Sequence, residues 1–369
     1  MAAPRRTTEE ARAAREAKLD KVREQLNAQV AKLVTGEDWK QALSFAAKFR
    51  SRSVNNSWLI FAQHQAAWEA GRVPDPMPTY VAGFRQWEQL GRQVSKGQKG
   101  YAILAPAIGK FASKTPANPM SWRRLAPREV PQPGEKVKSE MVGAKVAYVF
   151  DISQTSGPEV PLPPTAQLLE GEAPAGLRDG LIRQVEQAGF QFLPVPHEGM
   201  IHGANGITNF TDRQVAVRTN MDEAAQVKTL VHELAHVKMH GPDQEEARQH
   251  RGIGEVEAES VALMVGAAHG MDTSAYTIPY VSGWAIAADG KNPIQIVQAT
   301  AERVRKVVVK ILDQLDTVQV GDGTPPGLTR ESSERSSANQ TTRKPPARSS
   351  AGRPSATRSA RSAAPVRGL

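Results

Sequence analysis

Apolar residues recur at three- and four-residue steps in the first part of the chain, the pattern of helices with one buried face. A second helical stretch covers residues 38–71, and a third ends near Gly91. The stripe within residues 8–34 is made by Leu19, Val22, Leu26, Val30 and Leu33. The first third of the chain is therefore predicted to be mainly helical.

Strand patterns follow the third helix. A Gly-rich basic turn leads into the strand "YAILAP", and "AKVAYVFDIS" (residues 144–153) reads as another strand. Between them, residues 106–140 are rich in Pro, Ser and Lys, which favours an extended loop. We predict a first α+β domain over residues 1–153, with a long loop at 106–140.

The rest of the chain divides into a linker, a second domain and a tail. Pro and Gly punctuation without periodicity predicts a linker at 154–176. A helix at 177–189, the strands "ITNFT" and "RQVAVRT", and helices around 228–241 and 254–268 predict a second α+β domain over 177–320. Residues 321–369 are Ser, Arg, Pro, Ala and Gly with little apolar content, and we expect a disordered basic tail.

Composition narrows the chemistry. The 369 residues include no cysteine, which excludes disulfides, thiol catalysis and cysteine-ligated zinc. No apolar run approaches the ~18 residues of a membrane helix, and the N-terminus lacks the apolar segment of a secretory signal. We expect a cytoplasmic protein with no membrane partner. Any metal must be held by His, Asp or Glu.

Charge is distributed unevenly along the chain. Residues 1–150 carry 25 basic and 13 acidic side chains, a net charge of +12, and residues 151–324 carry 13 and 23, a net charge of −10. Residues 325–369 return to +7, with 9 basic and 2 acidic groups. A region at +12 attracts a polyanion, because displacing counterions from phosphates drives association. A merely solubilising basic surface is the alternative.

The stretch "KTLVHELAHVKMHG" (residues 228–241) combines two histidines four residues apart with a glutamate. Asn220 is a plausible N-cap, and an apolar stripe supports a helix. On a helix His232 and His236 project from one face and can converge on one zinc ion, with Glu233 close to a water bound to it. His240 is about 12 Å further along the axis and is interpreted as a cation near the helix end.

A third ligand is sought in "GEVEAESVALMVG" (residues 254–266), which has glutamates at two-residue steps. Glu255 and Glu259 share one helix face, and Glu257 points roughly 200° away. The pattern leaves open which carboxylate binds. A pair of surface histidines around a solvated glutamate, or a closed structural metal site, are the competing interpretations.

The two stretches at 228–241 and 254–266 together resemble the gluzincin metallopeptidases of the thermolysin type. This resemblance implies that Glu255 is the third zinc ligand and that Glu259 orients a ligating histidine, where Asp or Asn is more usual. Two histidines, one carboxylate and an open position would make a catalytic zinc site. Glu233 would then take a proton from the zinc-bound water.

The basic first domain interleaves cations with aromatic rings in "AKFRSRSVNNSWLIFAQ" and "GFRQWEQLGRQVSKGQKGYAILAP". Such segments suit single-stranded nucleic acid, where cations follow the backbone and rings stack on bases. Helical spacing of the rings equally favours a core role. The predicted DNA-binding residues are Lys48, Arg50, Arg52, Asn56, Trp58, Arg85, Trp87, Arg92, Lys96 and Lys99.

Taken together, residues 35–315 resemble the ArdC-type antirestriction proteins, through these two segments and then "TLVHELAHVKMH", "EVEAESVALMV" and "TSAYTIPYVSGWA". The resemblance implies a single-stranded-DNA-binding domain joined to a gluzincin-like zinc metallopeptidase domain. It also implies a role in shielding plasmid or mobile-element DNA from restriction. The alternative hypothesis is a DNA-targeted peptidase that cleaves DNA-bound proteins or a repressor. The tail would add a nonspecific DNA contact or only solubility.

Overall fold

The computed structural model describes residues 8–33, 35–126, 128–163, 171–241, 251–274, 276 and 292–328. Its helices are α1 Thr8–Val30, α2 Gly36–Lys48, α3 Val54–Glu69, α4 Phe84–Gln89, α5 Leu177–Gln187, α6 Glu223–Met239, α7 Arg251–Ala268 and α8 Pro293–Leu312. Its strands are β1 Val81–Gly83, β2 Gln93–Val94, β3 Tyr101–Ser113, β4 Arg123–Arg124, β5 Lys136–Asp151, β6 Thr155–Ser156, β7 Gln191–Val195, β8 Gly206–Asn209 and β9 Gln214–Arg218. The predicted α+β class is confirmed.

Two helices stand where the pattern predicts one stretch at 38–71. The first, α2, begins with a capping box, in which Thr35 Oγ1 accepts from the Asp38 amide at 3.1 Å and Asp38 Oδ2 accepts from the Thr35 amide at 2.8 Å. It ends at Lys48, and Ser53 caps the start of α3. The short connection lets both helices pack on the same core.

Two larger sheets lie on either side of the predicted linker. The first has the strand order β1-β5-β3-β4, and β3 pairs with β5 in antiparallel register from Tyr101↔Val149 to Ser113↔Lys136. The second has the order β7-β9-β8, with β7 parallel and β8 antiparallel to β9. Thus β8 lies at the edge of this sheet. The periodicity analysis missed β7.

The predicted long loop at 106–140 is mostly wrong. Residues 106–113 continue β3 and residues 136–140 begin β5, so the two strands form a protruding ribbon, with β4 pairing at its tip. Apolar and polar positions do not alternate clearly here, because Gly109, Ala112 and Ser113 are the only buried positions in residues 106–113 and 136–140. A strand with so few buried positions carries little of the period-two signal in its sequence.

The helices of the two predicted domains share one hydrophobic core. It contains buried residues from α1, α2 and α3 together with residues from α5, α6, α7 and α8. At its centre the Trp39 indole N–H of α2 donates to Ser260 Oγ of α7 at 2.9 Å, and both residues are buried. The boundary at 154–176 therefore separates the two larger sheets but not the helical layer.

The C-terminal part of the described chain returns to the first sheet. The Val81 amide donates to the Gly323 carbonyl at 2.9 Å, and Leu328 packs against the cluster that contains Trp87. The predicted start of the disordered tail at 321 is therefore wrong for residues 321–328, and residues 329–369 lie outside the described residues. Within the described chain, no helix has both the length and the apolar character needed to cross a membrane.

Candidate metal centre and nucleic-acid surface

The two motif histidines lie one turn apart on α6. Asp222, not the predicted Asn220, caps this helix, accepting from the Ala225 amide at 2.7 Å. The Nε2 atoms of His232 and His236 are 3.0 Å apart. Their side chains are 21% and 17% exposed, so each ring has one edge open to solvent.

Helix α7 brings Glu255 to the same point. Its carboxylate oxygens lie 3.4 Å from Nε2 of His232 and 3.7 Å from Nε2 of His236. Ligands about 2.0–2.1 Å from one zinc ion at tetrahedral angles are separated by about 3.3 Å, so these three donors fit one ion. The Glu255 side chain is 65% exposed, which leaves the outer side of the site accessible.

Glu259 lies behind His232. Its Oε2 is 3.3 Å from the Nδ1 of His232, the nitrogen that faces away from Glu255, and its Oε1 is 2.9 Å from Lys228 Nζ. Burial opposes the carboxylate charge, but the contacts with His232 and Lys228 outweigh it and lower the pKa of Glu259. This is the arrangement expected of a group that orients a metal-binding imidazole.

Glu233 is buried beside the pair, with 6% of its surface exposed. Thr208 of β8 donates its hydroxyl hydrogen to Oε2 at 2.6 Å. Gly206 lets β8 come close, because a Cβ there would lie 2.9 Å from Oε1 of Glu233. Burial raises the pKa of Glu233. The sequence offered no signal that the edge strand would hold this carboxylate.

The two histidines differ in their affinity for a proton. Burial disfavours charge on His232, but Glu255 and Glu259 outweigh it and raise its pKa to about 9. Burial and the neighbouring His232 lower the pKa of His236 to about 4. These directions indicate that a divalent ion competes with a proton more strongly at His232 than at His236.

A second set of polar groups lies behind His236. Its Nδ1 is 2.9 Å from Nδ1 of His240, and Nε2 of His240 is 3.0 Å from Glu257 Oε2. Arg303 of α8 holds the other oxygen of Glu257 through Nε at 2.7 Å and Nη2 at 2.6 Å. His240 lies at the C-terminal end of α6, as the sequence predicted, and both of its ring nitrogens are engaged there.

Four of the ten predicted DNA-binding residues are buried and bonded within the protein. Arg50 donates to the carbonyls of Ala47 and Gly321, and Arg92 donates to Thr155. The indole N–H groups of Trp58 and Trp87 donate to the backbone at 3.3 and 3.0 Å. These corrections have one reason: the side chains hold the fold together and do not face solvent.

Two more candidates are engaged at the first sheet. The Asn56 amide group bonds both backbone groups of Leu104, at 2.9 Å each, and so covers the free edge of β3. Arg52 donates to the Val81 carbonyl at 2.6 Å. Both are half-buried, so the structure gives them a supporting role in the sheet.

The remaining four candidates, Lys48, Arg85, Lys96 and Lys99, are exposed. Two exposed rings were not among the candidates. Phe84, 50% exposed, directly follows Gly83, and Tyr148, 51% exposed, directly precedes Val149, which pairs with Gly83 in the sheet. Tyr148 was missed because it stands in a strand pattern without neighbouring cations.

The ribbon formed by β3 and β5 is also basic. Residues 105–145 contain eight basic and three acidic side chains. Lys138 lies 4.3 Å from the ring centre of Trp122 near its tip. The exposed cations of the ribbon are Lys110, Lys114, Arg124, Arg128, Lys136 and Lys145.

Two family models match separate parts of the chain. Residues 12–150 match the N-terminal domain of anti-restriction factor ArdC. Residues 197–290 match the IrrE N-terminal-like domain, a peptidase family. The second match contains His232, His236 and Glu255, and the first contains every predicted DNA-binding residue.

Individual relatives were also found. An uncharacterized protein of Bacillus anthracis is 27% identical over 266 residues, covering 67% of this chain but only 43% of its own length. A metal-free crystal structure of the antirestriction ArdC protein from the R388 plasmid is 20% identical, with a TM-score of 0.41 over 72% of this chain and 85% of its own. The Mn(II)-bound structure of that protein is 19% identical, with a TM-score of 0.38 over 70% and 83%.

Proposed function

We propose that this chain, which joins an ArdC N-terminal domain to an IrrE-like peptidase domain, is an antirestriction protein that binds single-stranded DNA. In this role it protects incoming plasmid or mobile-element DNA in the cytoplasm, and its second half is a zinc metallopeptidase-like module. The observation that carries the proposal is the ArdC-type match of residues 12–150 in a region with a net charge of +12.

The exposed end of the first sheet supports contact with single strands. Phe84, the first residue of α4, and Tyr148 of β5 offer half-exposed rings next to the paired residues Gly83 and Val149. Arg85, Lys96 and Lys99 are exposed in the same domain. Bases stack on exposed rings without regard to sequence, and cations neutralise the phosphates. We therefore propose that the DNA bases stack on Phe84 and Tyr148 and that the three cations contact the DNA phosphates.

The binding test uses the full chain, because the hydrophobic core contains helices from both domains and a fragment would lack part of it. Labelled single-stranded oligonucleotides are titrated at several salt concentrations, beside duplexes of the same sequence. We expect tighter binding to the single strand and an affinity that falls steeply with salt. Equal affinity for both forms, or binding that salt does not weaken, would contradict the single-strand assignment.

The donor set supports a divalent ion, with zinc as the proposed metal. His232, His236 and Glu255 would hold it, and Glu259 and Lys228 would fix the ring of His232. When bound, zinc supplies a polarised water and an acceptor for a carbonyl oxygen. Glu233 would take the proton of that water on Oε1, since Oε2 is held by Thr208.

The second candidate function is proteolysis directed by DNA, against DNA-bound proteins or a repressor. The position of the buried Glu233 next to the histidine pair favours it. The deciding experiment introduces unmodified DNA into a restricting host that expresses the wild type or Glu233→Gln. If the variant protects as well as the wild type, protection depends on binding and shielding. If protection is lost while metal and DNA binding persist, proteolysis is the function.

A further inference from the structure

The two histidines of the proposed metal site are supported in different ways. His232 has a carboxylate, Glu259, directly at its Nδ1. His236 has instead another imidazole, with the Nδ1 atoms of His236 and His240 2.9 Å apart. His240 is nearly enclosed, with 9% of its side chain exposed, and Glu257 behind it has 7% exposed.

Two imidazole nitrogens at this distance require one to donate and the other to accept, so the proton positions follow in order. If His236 binds a metal through Nε2, its Nδ1 carries the hydrogen and donates to His240 Nδ1. His240 must then carry its own hydrogen on Nε2, which donates to Glu257 Oε2 at 3.0 Å. Every donor in this order has an acceptor.

Arg303 completes the arrangement from a third helix. It donates through Nε at 2.7 Å and Nη2 at 2.6 Å to the other oxygen of Glu257, and Nη2 also donates to Thr300 at 3.1 Å. A carboxylate held by these charge-assisted hydrogen bonds has a fixed orientation inside the protein. The polar chain therefore joins α6, α7 and α8.

We propose that His240, Glu257 and Arg303 are positioning residues that fix the tautomer and ring plane of His236 for metal binding. This inference rests on the proposed metal site. It extends the site to three residues that do not bind the ion themselves and act on it through His236. It also explains why Glu257, on the opposite face of α7 from Glu255 and Glu259, is charged and buried.

The test measures zinc affinity of the full chain by competition with a chromophoric chelator. Loss of a partner behind a metal-binding histidine typically weakens metal binding about 10–100-fold. We expect this loss for His240→Ala and partial recovery for His240→Asn, whose side-chain oxygen can accept from His236. Arg303→Met should weaken binding less, and because Arg303 is 46% exposed this variant should still fold.

His269→Asn is the matched control. His269 is a buried histidine directly after the end of α7, and its ring nitrogens contact the Val265 carbonyl and Thr317 Oγ1, away from the proposed metal site. Thermal midpoints of the metal-free proteins report structural damage separately. The control should lose stability and keep its zinc affinity, whereas His240→Ala should lose affinity by more than any loss of stability accounts for.

A double substitution tests the connection. Because Glu257 acts on the metal only through His240, His240→Ala/Glu257→Gln should bind zinc about as weakly as His240→Ala alone. Independent, additive losses would overturn the proposal, as would wild-type affinity in His240→Ala. A wild type that binds no zinc would overturn the metal site itself, and this inference with it.

Discussion

At the metal centre, charged and polar side chains from α6 and α7 lie within about one hydrogen-bond length of one another, and each has a defined neighbour. In the first domain, the exposed cations Lys48, Arg85, Lys96 and Lys99 lie on helices and in a loop around the first sheet, and none has an ion-pair partner among the described residues. The first arrangement suits one small ion, and the second suits a long polyanion.

This difference has a physical consequence for mutations. A buried polar group that loses its partner retains the full penalty of desolvation, so single changes at the metal centre should have large effects. Exposed cations act through screened, long-range attraction, so single changes on the sheet should be small and should add up. The following predictions test that contrast, in order of decreasing effect.

The largest effect is expected for His232→Ala. Two donors do not hold a zinc ion as three do, so metal content should fall from about one ion per chain to background. Single-strand affinity should stay at the wild-type value, because the proposed DNA surface lies in the first domain, apart from the metal ligands. Metal analysis and a DNA titration on the same sample check both. A parallel loss of DNA binding would contradict the separation of the regions.

Glu233→Gln should abolish any peptidase activity while leaving the ion in place. Removing a general base typically reduces the rate about 10²–10⁴-fold. The glutamine oxygen can still accept from Thr208, so the local structure should persist. Glu223→Gln, an exposed glutamate in the first turn of the same helix, is the matched control. Equal activity in both variants would remove Glu233 from the mechanism.

The paired change Phe84→Ala/Tyr148→Ala should weaken single-strand binding by about 1–3 kcal/mol per lost stack. Because no charge is removed, the dependence of affinity on salt should keep its slope. Phe210→Ala is the control: Phe210 packs against Phe190 in the second domain, outside the proposed DNA surface, so its loss should not change single-strand affinity. A changed dependence of affinity on salt would contradict the proposal that the two rings act only by stacking on bases.

Lys96→Ala/Lys99→Ala should give the reverse signature. Each lost phosphate contact on a single strand should lower the salt slope by about 0.7, with a modest loss of affinity at high salt. Lys306→Ala, an exposed lysine on α8, serves as the control. An unchanged slope in the double variant would place the phosphate backbone elsewhere, with the basic ribbon at 105–145 as the next surface to test.

His269 predicts a small effect of pH on stability. Burial lowers its pKa in the folded chain, so the unfolded chain binds a proton first as pH falls. The contribution of His269 to the free energy of unfolding is therefore full above about pH 6.5, the ordinary pKa of histidine, and decreases below that pH. Denaturant unfolding at pH 7.5 and 5.5 should show the advantage over His269→Asn, about 1–3 kcal/mol, shrinking at the lower pH. A stability difference between the wild type and His269→Asn that is larger at pH 5.5 than at pH 7.5 would contradict the lowered pKa.

The sequence placed the side chains of the proposed metal centre together, as the structure has them, but did not find which side chains of the first domain are exposed. The reason is local. The four-residue step places His232 and His236 on one face of any helix, and the two-residue steps of the glutamates put Glu255 and Glu259 opposite Glu257. Both relations depend only on helix geometry. The partners that come from elsewhere, Thr208 and Arg303, have no local signal.

On the first sheet the informative quantity is exposure, which tertiary packing decides. Trp58 and Trp87 look like stacking residues in the sequence but fill the core, whereas Phe84 and Tyr148 remain outside. The ribbon at 106–140 escaped prediction because few of its positions are buried. The packed segment at 321–328 did so because it uses backbone hydrogen bonds and a few apolar contacts.

Anomalous diffraction at the zinc absorption edge, from crystals of the zinc-loaded chain, tests the central claim most directly. The account predicts one peak about 2.0–2.1 Å from Nε2 of His232, from Nε2 of His236 and from a Glu255 oxygen, with a remaining position open to solvent. A peak held by Glu259 or His240 in place of Glu255, or no peak between the two imidazoles, would contradict it.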